Sequence, residues 1–392
     1  MIGIKLILRS LLASAFSYVL TLYLIRNLTV EQFGEYSYLI LIASFSLVFV
    51  VFGTDNTIAR DSKKFGCKHE FAGFLLIFKL LNLVLCCAVL WVSGIAKLQE
   101  IVCFLVATLY LGSSFEVMGK NLTFSNIFVL ERLAYTVVVF FLFFTIKVEL
   151  GLLYGVLLCI SLMSLFVQVK IISPSFKNVT FRGLISIYKH NAFIVISVLV
   201  LFGYGGGGRF YLESKYGKEA LGIFSAFWQV LMVATLIQSQ LEKIWRTKFI
   251  NANCSLELKR MIGKYLFETT LPIFIGALTL SIFRREVTLL VFGEKFVTHS
   301  QLLIVMSFYF VVVNIDSLYR MIFIQFSKDK QYMIAHAVSV SLMFLGLFFE
   351  DYGFFVFSIL IVSAHFFAIV LLTLFWSKKY KMNSFEGNNL YE

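Results

Sequence analysis

Apolar residues in this chain come in long runs, separated by short gaps that hold most of the charge. A bilayer core needs about 20 mostly apolar residues per helix. Runs of that kind fall at 5–25, 36–53, 71–93, 100–122, 126–146, 150–172, 190–208, 221–240, 264–283, 301–325, 331–349 and 353–376. The pattern predicts twelve membrane-spanning helices. The fourth is the least regular, because Glu116 and Lys120 fall near its end and its gap to the fifth is short. No gap exceeds about 25 residues, half of the roughly 50 that a small domain needs, so no catalytic domain is expected outside the membrane.

Composition agrees with that pattern. Of 392 residues, 60% are hydrophobic and 14% charged, with a mean hydropathy of +0.89. A soluble protein of this size needs a polar shell, with about 25% of its residues charged, so a soluble fold is excluded. Two prolines and 24 glycines also argue against long disordered or collagen-like stretches. The net charge is +12, but the basic residues sit in short gaps between apolar runs, where Lys and Arg fix topology, and no nucleic-acid partner is expected. Of the 34 Lys and Arg, 22 lie in or beside the termini and even-numbered gaps, run edges included, and nine in the odd-numbered gaps. Basic residues favour the cytoplasmic side, so both termini are expected there. The other three, Lys79, Arg132 and Arg320, fall inside runs. The six cysteines lie mostly in apolar runs and read as small packing residues. Lys5 and Arg9 precede an apolar segment with no small-residue cleavage site, so that segment is expected to remain as the first helix.

The chain also repeats itself. LTVEQFGEYSY at 28–38 aligns with YGKEALGIFSA at 216–226 at an offset of 188, pairing Glu31 with Glu219, Gly34 with Gly222, Tyr36 with Phe224 and Ser37 with Ser225. Both copies connect the first and second helices of a six-helix half. An even number of helices per half makes the two halves parallel repeats about an axis along the membrane normal, with substrate expected between them. The fold class expected is therefore an all-α polytopic membrane protein of twelve transmembrane helices in two six-helix halves. Residues 1–172 and 190–376 would be the halves, 173–189 a cytoplasmic linker and 377–392 a cytoplasmic tail.

Charges inside a bilayer are costly and usually face a protein interior or a water-filled cavity. The mid-run candidates are Arg9, Lys79, Glu131, Arg132, Glu268, Asp316 and Arg320. Arg60 and Lys248, again 188 apart, stand near the cytoplasmic ends of the second and eighth helices, where a purely topogenic role is the alternative. Asp316 and Arg320 share a helix face and could form an intramembrane pair, whereas Glu131 and Arg132 are adjacent and should point in different directions. Glu131, Glu268 and Asp316 are the mid-run acids that could relay a coupling ion. Ser10, Ser14, Ser17 and Thr21 form a small-residue stripe suited to helix packing. His336 and His365 are single histidines with no second ligand at helical spacing, so no metal site is expected. GYGGGGR at 203–209 interrupts the seventh helix with residues that each weaken a helix by about 1 kcal/mol, and reads as a bend or a frayed end.

Four stretches in order, LTVEQFGEYSYLI, GTDNTIARDSKKFG at 53–66, GKEALGIFSAFWQV at 217–230 and LLVFGEKFVTHSQLLIVMS at 289–307, carry a family resemblance over nearly the whole chain. The sequence resembles the Wzx-type polysaccharide flippases of the multidrug/oligosaccharidyl-lipid/polysaccharide exporter superfamily, departing from them in the glycine-rich seventh helix. The resemblance implies a flippase rather than an enzyme, needing no cofactor. It would move a polyprenyl-pyrophosphate-linked oligosaccharide, an O-antigen or capsule repeat unit, across a bacterial inner membrane by alternating access. Its partners would be that lipid-linked substrate and membrane lipids, with a polysaccharide polymerase and a chain-length regulator as companions. Lys79, Arg132, Arg320, Arg9, Arg60 and Lys248 would then meet the pyrophosphate, because a phosphate oxygen leaving water needs Arg or Lys donors. Two other readings make different demands. A membrane polymerase or glycosyltransferase would need a large outward loop, yet the longest gaps face the cytoplasm. A drug/cation antiporter would favour acidic residues along its path.

Overall fold

The computed structural model describes residues 2–54, 67–94, 98–107, 109–145, 150–177, 179–250, 255–325, 328–349 and 354–382. Among these the regular structure is all helical. In chain order the α-helices are α1 (Ile2–Asn27), α2 (Val30–Val51), α3 (Lys68–Val92), α4 (Leu98–Ala107), α5 (Gly112–Val117), α6 (Asn121–Thr145), α7 (Leu150–Ile172), α8 (Phe181–Phe202), α9 (Gly208–Ile250), α10 (Ser255–Tyr265), α11 (Leu271–Ile282), α12 (Arg284–Val291), α13 (Gln301–Gln325), α14 (Asp329–Phe349) and α15 (Phe354–Met382). Among the described residues, nine helical stretches are long and apolar enough to cross a membrane, and one of them, Arg182–Thr235, has 54 residues. That stretch is broken at Gly217, whose φ of 80° and ψ of −177° divide α9 in two. With that break the helices are compatible with the twelve predicted. The chain forms two compact units, Met1–Leu199 and Val200–Glu392.

The repeated motif has a physical identity in the first unit. Thr29 caps α2 by accepting from the Gln32 N–H at 3.2 Å, while Gln32 Oε1 accepts from the Thr29 N–H at 3.0 Å. This reciprocal box satisfies two amides that the helix start leaves open. In the second unit Gly217 makes the turn by its positive φ instead. The matched aromatics do equivalent jobs. Tyr36 stacks on Tyr154 of α7, with centroids 6.2 Å apart, and Phe224 packs 6.0 Å from Phe357 of α15. Ser37 and Ser225 are both buried. The 289–307 motif folds as α12, a turn at Gly293 (φ 95°) and a short 3-10 helix, whose Phe292 and Phe296 pack edge-on to Phe227. Beyond Thr54, the 53–66 motif lies outside the described residues.

Three predicted runs differ from a simple helix. The 100–122 run is interrupted between Ala107 and Gly112. Non-helical backbone is tolerated at membrane depth only where its polar groups find partners inside the protein. Here Gln168 Oε1 on α7 accepts the Leu111 N–H at 2.9 Å, and Lys79 Nζ on α3 donates to the Tyr110 carbonyl at 3.0 Å. The 264–283 run is split by a π turn at Leu266–Thr270, with Pro272 following at the start of α11.

The glycine run is the third. Gly203–Gly207 is a π turn leading directly into α9. It is neither a frayed end nor bare backbone, because each position is occupied by a neighbour. A Cβ on Gly203 would lie 2.6 Å from Val340, one on Gly205 2.6 Å from Trp228, and one on Gly207 2.9 Å from Phe344. The absent side chains let bulky residues of α9 and α14 approach the backbone, the close approach for which glycine serves in membrane helices.

Candidate functional site

In the first unit the polar centre is assembled around Tyr110, at the interruption between α4 and α5. Arg132 Nη2 on α6 donates to the Tyr110 hydroxyl oxygen at 2.7 Å, and that hydroxyl donates to Glu131 Oε1 at 2.7 Å. Ser161 on α7 donates to the same carboxylate oxygen at 3.5 Å. The guanidinium carbon of Arg132 lies 4.9 Å from the Phe128 ring centre, a cation–π contact. Glu131 and Arg132 therefore do not diverge as their adjacency predicts, since one hydroxyl joins both. Their polar capacity is not used up. Glu131 Oε2 and Arg132 Nε are buried without a hydrogen-bond partner among the described residues. Lys79 is only 3% exposed, with its ammonium on the Tyr110 carbonyl, so it supports the helix break. Arg132 as a whole is half-buried.

Arg9 on α1 donates to the Leu122 carbonyl at 3.3 Å, at the start of α6. Ten residues separate Leu122 from Arg132, about 15 Å along a helix axis. The paired helices α1 and α6 thus carry one arginine near the end of the helix and a second at its middle.

The second unit departs from the sequence expectations more strongly. Asp316 and Arg320, four apart on α13, have different partners. Arg320 pairs with Glu242 of α9, which also accepts from Ser317 at 3.1 Å. The Arg320 side chain is 38% exposed and that of Glu242 8%. Asp316 is buried between the two histidines that look isolated along the sequence. His336 Nε2 on α14 is 3.0 Å from Oδ1, His365 Nε2 on α15 is 3.4 Å from Oδ2, and the Tyr332 hydroxyl donates to Oδ2 at 2.8 Å. The reason is geometric. Asp316 is flanked by α14 and α15, whereas the longer Arg320 reaches α9.

Glu268 sits in the π turn with its side chain 44% exposed, 3.5 Å from Lys264, and belongs to neither cluster. Arg60 and the side chain of Lys248 lie outside the described residues. Sequence reasoning missed Tyr110, Glu242, His336 and His365 as members of these clusters. It also missed Arg209, whose Nε donates to the Gly205 carbonyl at 2.9 Å and whose guanidinium lies over Trp228.

No family model matches the chain. A capsular polysaccharide biosynthesis protein of Staphylococcus aureus, CapF, is 21% identical over 325 residues, 76% of this chain and 78% of that protein. Among solved structures, the lipid II flippase MurJ in an inward closed conformation superposes with a TM-score of 0.72 at 13% identity, covering 95% of this chain and 87% of MurJ. The Vibrio cholerae MATE transporter VcmN, in a mutant form, gives 0.63 at 13% identity over 97% and 95% of the two chains. An inward-facing MATE transporter of the MOP superfamily gives 0.67 at 12% identity over 94% and 95%. The chain has the fold shared by these membrane transporters and flippases.

Proposed function

We propose that this chain is a flippase that moves a polyprenyl-pyrophosphate-linked oligosaccharide from the inner to the outer leaflet of a bacterial inner membrane. It does so by alternating access of its two six-helix halves, with both termini in the cytoplasm, and makes or breaks no covalent bond. The observation that carries the reading is Arg132. Arg132 is half-buried at the middle of a membrane helix, where a guanidinium is costly unless it meets polar partners or a polar path. Its neighbours hold it in place without saturating it, because Tyr110 and Phe128 occupy part of the group and the buried Nε has no hydrogen-bond partner among the described residues. Arginine suits a pyrophosphate, since its planar fork can give two parallel hydrogen bonds to phosphate oxygens.

Arg9, near the end of α1, and Arg320, on the second unit, are the further cations assigned to the route. The MurJ-like fold and the CapF similarity support the same substrate class. A drug/cation antiporter would favour acidic residues along its path, whereas the mid-run charges here include Lys79, Arg132 and Arg320. The polysaccharide polymerase and the chain-length regulator are the proteins that would act on the exported unit. The experiment is deletion of the gene, followed by analysis of surface polysaccharide and of lipid-linked intermediates. The reading requires surface polymer to be lost while complete lipid-linked units accumulate on the cytoplasmic leaflet. Single units still reaching the surface would support a polymerase instead.

A further inference from the structure

Asp316 enters the flippase reading only as an acid that could relay a coupling ion, but with His336 and His365 it forms a cluster whose chemistry points to a metal. All three side chains are buried and come from three separate helices, α13, α14 and α15. One ligand-capable atom from each lies within 4.8 Å of the others. The shorter separations, 3.0 Å from Asp316 Oδ1 to His336 Nε2 and 3.4 Å from Oδ2 to His365 Nε2, bracket the edge of a small coordination polyhedron. With metal–ligand bonds of 2.0–2.1 Å, a tetrahedral zinc site has ligand atoms about 3.3 Å apart.

A further observation fits this trio to a metal site. His365 is buried, and its Nε2 faces Asp316 Oδ2 at 3.4 Å, longer than the 3.0 Å of the His336 contact. Both imidazoles are held from behind. His336 Nδ1 is 3.1 Å from the Tyr204 hydroxyl, and His365 Nδ1 is 3.1 Å from the Tyr309 hydroxyl. A ligating histidine typically donates its other N–H to such a partner, which fixes the tautomer and the ring plane. Tyr204 can direct its own proton to the His336 main-chain carbonyl, at 3.5 Å, and so accept from Nδ1–H. Tyr332, on Asp316 Oδ2, steadies the carboxylate in the same way. Arg320 turns to Glu242, which leaves the Asp316 carboxylate to the histidines and Tyr332.

We propose that Asp316, His336 and His365 bind one divalent transition cation of zinc type, which ties α13, α14 and α15 together within the second unit. Two imidazole nitrogens and a carboxylate suit zinc, cobalt, nickel or copper, whereas sodium, magnesium and calcium favour all-oxygen sites. Binding uses the unprotonated Nε2 of each neutral imidazole, so a histidine with its proton on Nε2 must release it or shift it to Nδ1.

The test uses the full chain in detergent, with any purification tag removed and metal stripped by a chelator, titrated with Zn2+ and separately with Co2+. The expected result is one saturable equivalent of Zn2+, undisturbed by excess Na+ or Mg2+, and an intense visible cobalt spectrum typical of a four-coordinate site. His336→Gln and His365→Gln should each weaken binding at least tenfold and abolish the rise in thermal midpoint that Zn2+ gives the wild type. His69→Gln, on an exposed histidine, should change neither. If the glutamine variants fail to fold, Tyr309→Phe keeps all three ligands and should still weaken binding by removing the support at His365 Nδ1. The proposal is overturned by wild-type protein without a saturable equivalent, by a weak six-coordinate cobalt spectrum, or by undiminished affinity in the foldable variants.

Discussion

The ammonium of Lys79 donates to the main-chain carbonyl of Tyr110, while the guanidinium of Arg132 donates to the hydroxyl of the same tyrosine. Two cations with the same sequence credentials, each a basic residue deep in an apolar run, thereby acquire different work. Lys79 is buried on a helix break, whereas Arg132 is half-buried and its Nε has no hydrogen-bond partner among the described residues.

Lys79→Ala should therefore act on stability. It leaves the Tyr110 carbonyl without that donor inside the unit, a loss of about 1–3 kcal/mol for a buried unsatisfied group. The thermal midpoint of the purified protein should fall, and export should fall only in step with protein abundance. Full abundance with export abolished would place Lys79 on the substrate route.

Arg132 should behave in the opposite way. Arg132→Ala is expected to abolish export at wild-type abundance, and Arg132→Lys to restore part of it, because charge is retained while the fork is lost. Tyr110→Phe removes the hydroxyl between Arg132 and Glu131 and should lower export without abolishing it. Quantifying surface polymer per molecule of protein, with membrane levels read by immunoblot, separates these outcomes.

Apolar run lengths marked out the helical stretches, because bilayer thickness sets a common length for membrane spans. The interruptions were less legible, since Tyr110 and Leu111 look like ordinary members of a run and their partners, Lys79 and Gln168, lie 31 and 57 residues away. The Asp316 cluster was hidden for the same reason. Spacing along one helix reports neighbours three or four residues apart, whereas His336 and His365 reach Asp316 across helix boundaries. Arg320 was legible as an intramembrane cation, but its partner Glu242 sits in a stretch whose polarity reads as a gap between helices.

The glycines offer a contrast within one chemistry. Gly155, in the interior of α7, has nothing within 4 Å of the place a Cβ would take, so Gly155→Ala should stabilise by up to about 1 kcal/mol through helix propensity. At Gly205 the same methyl would lie 2.6 Å from Trp228. Overpacking typically costs about 1–3 kcal/mol, which outweighs the propensity gain, so Gly205→Ala should lower the thermal midpoint. A run that served only as a hinge would lose transport on this substitution while keeping its stability.

Topology follows from the charge bias. Reporter fusions at the C-terminus and in the 284–300 gap should report opposite sides of the membrane, with the C-terminus cytoplasmic. Finding both on one side would contradict the proposed helix order.

The most direct measurement places the purified chain alone in proteoliposomes with a labelled polyprenyl-pyrophosphate-linked oligosaccharide and follows access of a membrane-impermeant probe to the label. Wild-type protein should expose the initially protected pool far faster than protein-free vesicles do, and Arg132→Ala, reconstituted at equal density, should fall to the protein-free rate. The account is contradicted if wild-type protein gives no acceleration under any imposed ion gradient, or if Arg132→Ala moves the lipid as fast as the wild type.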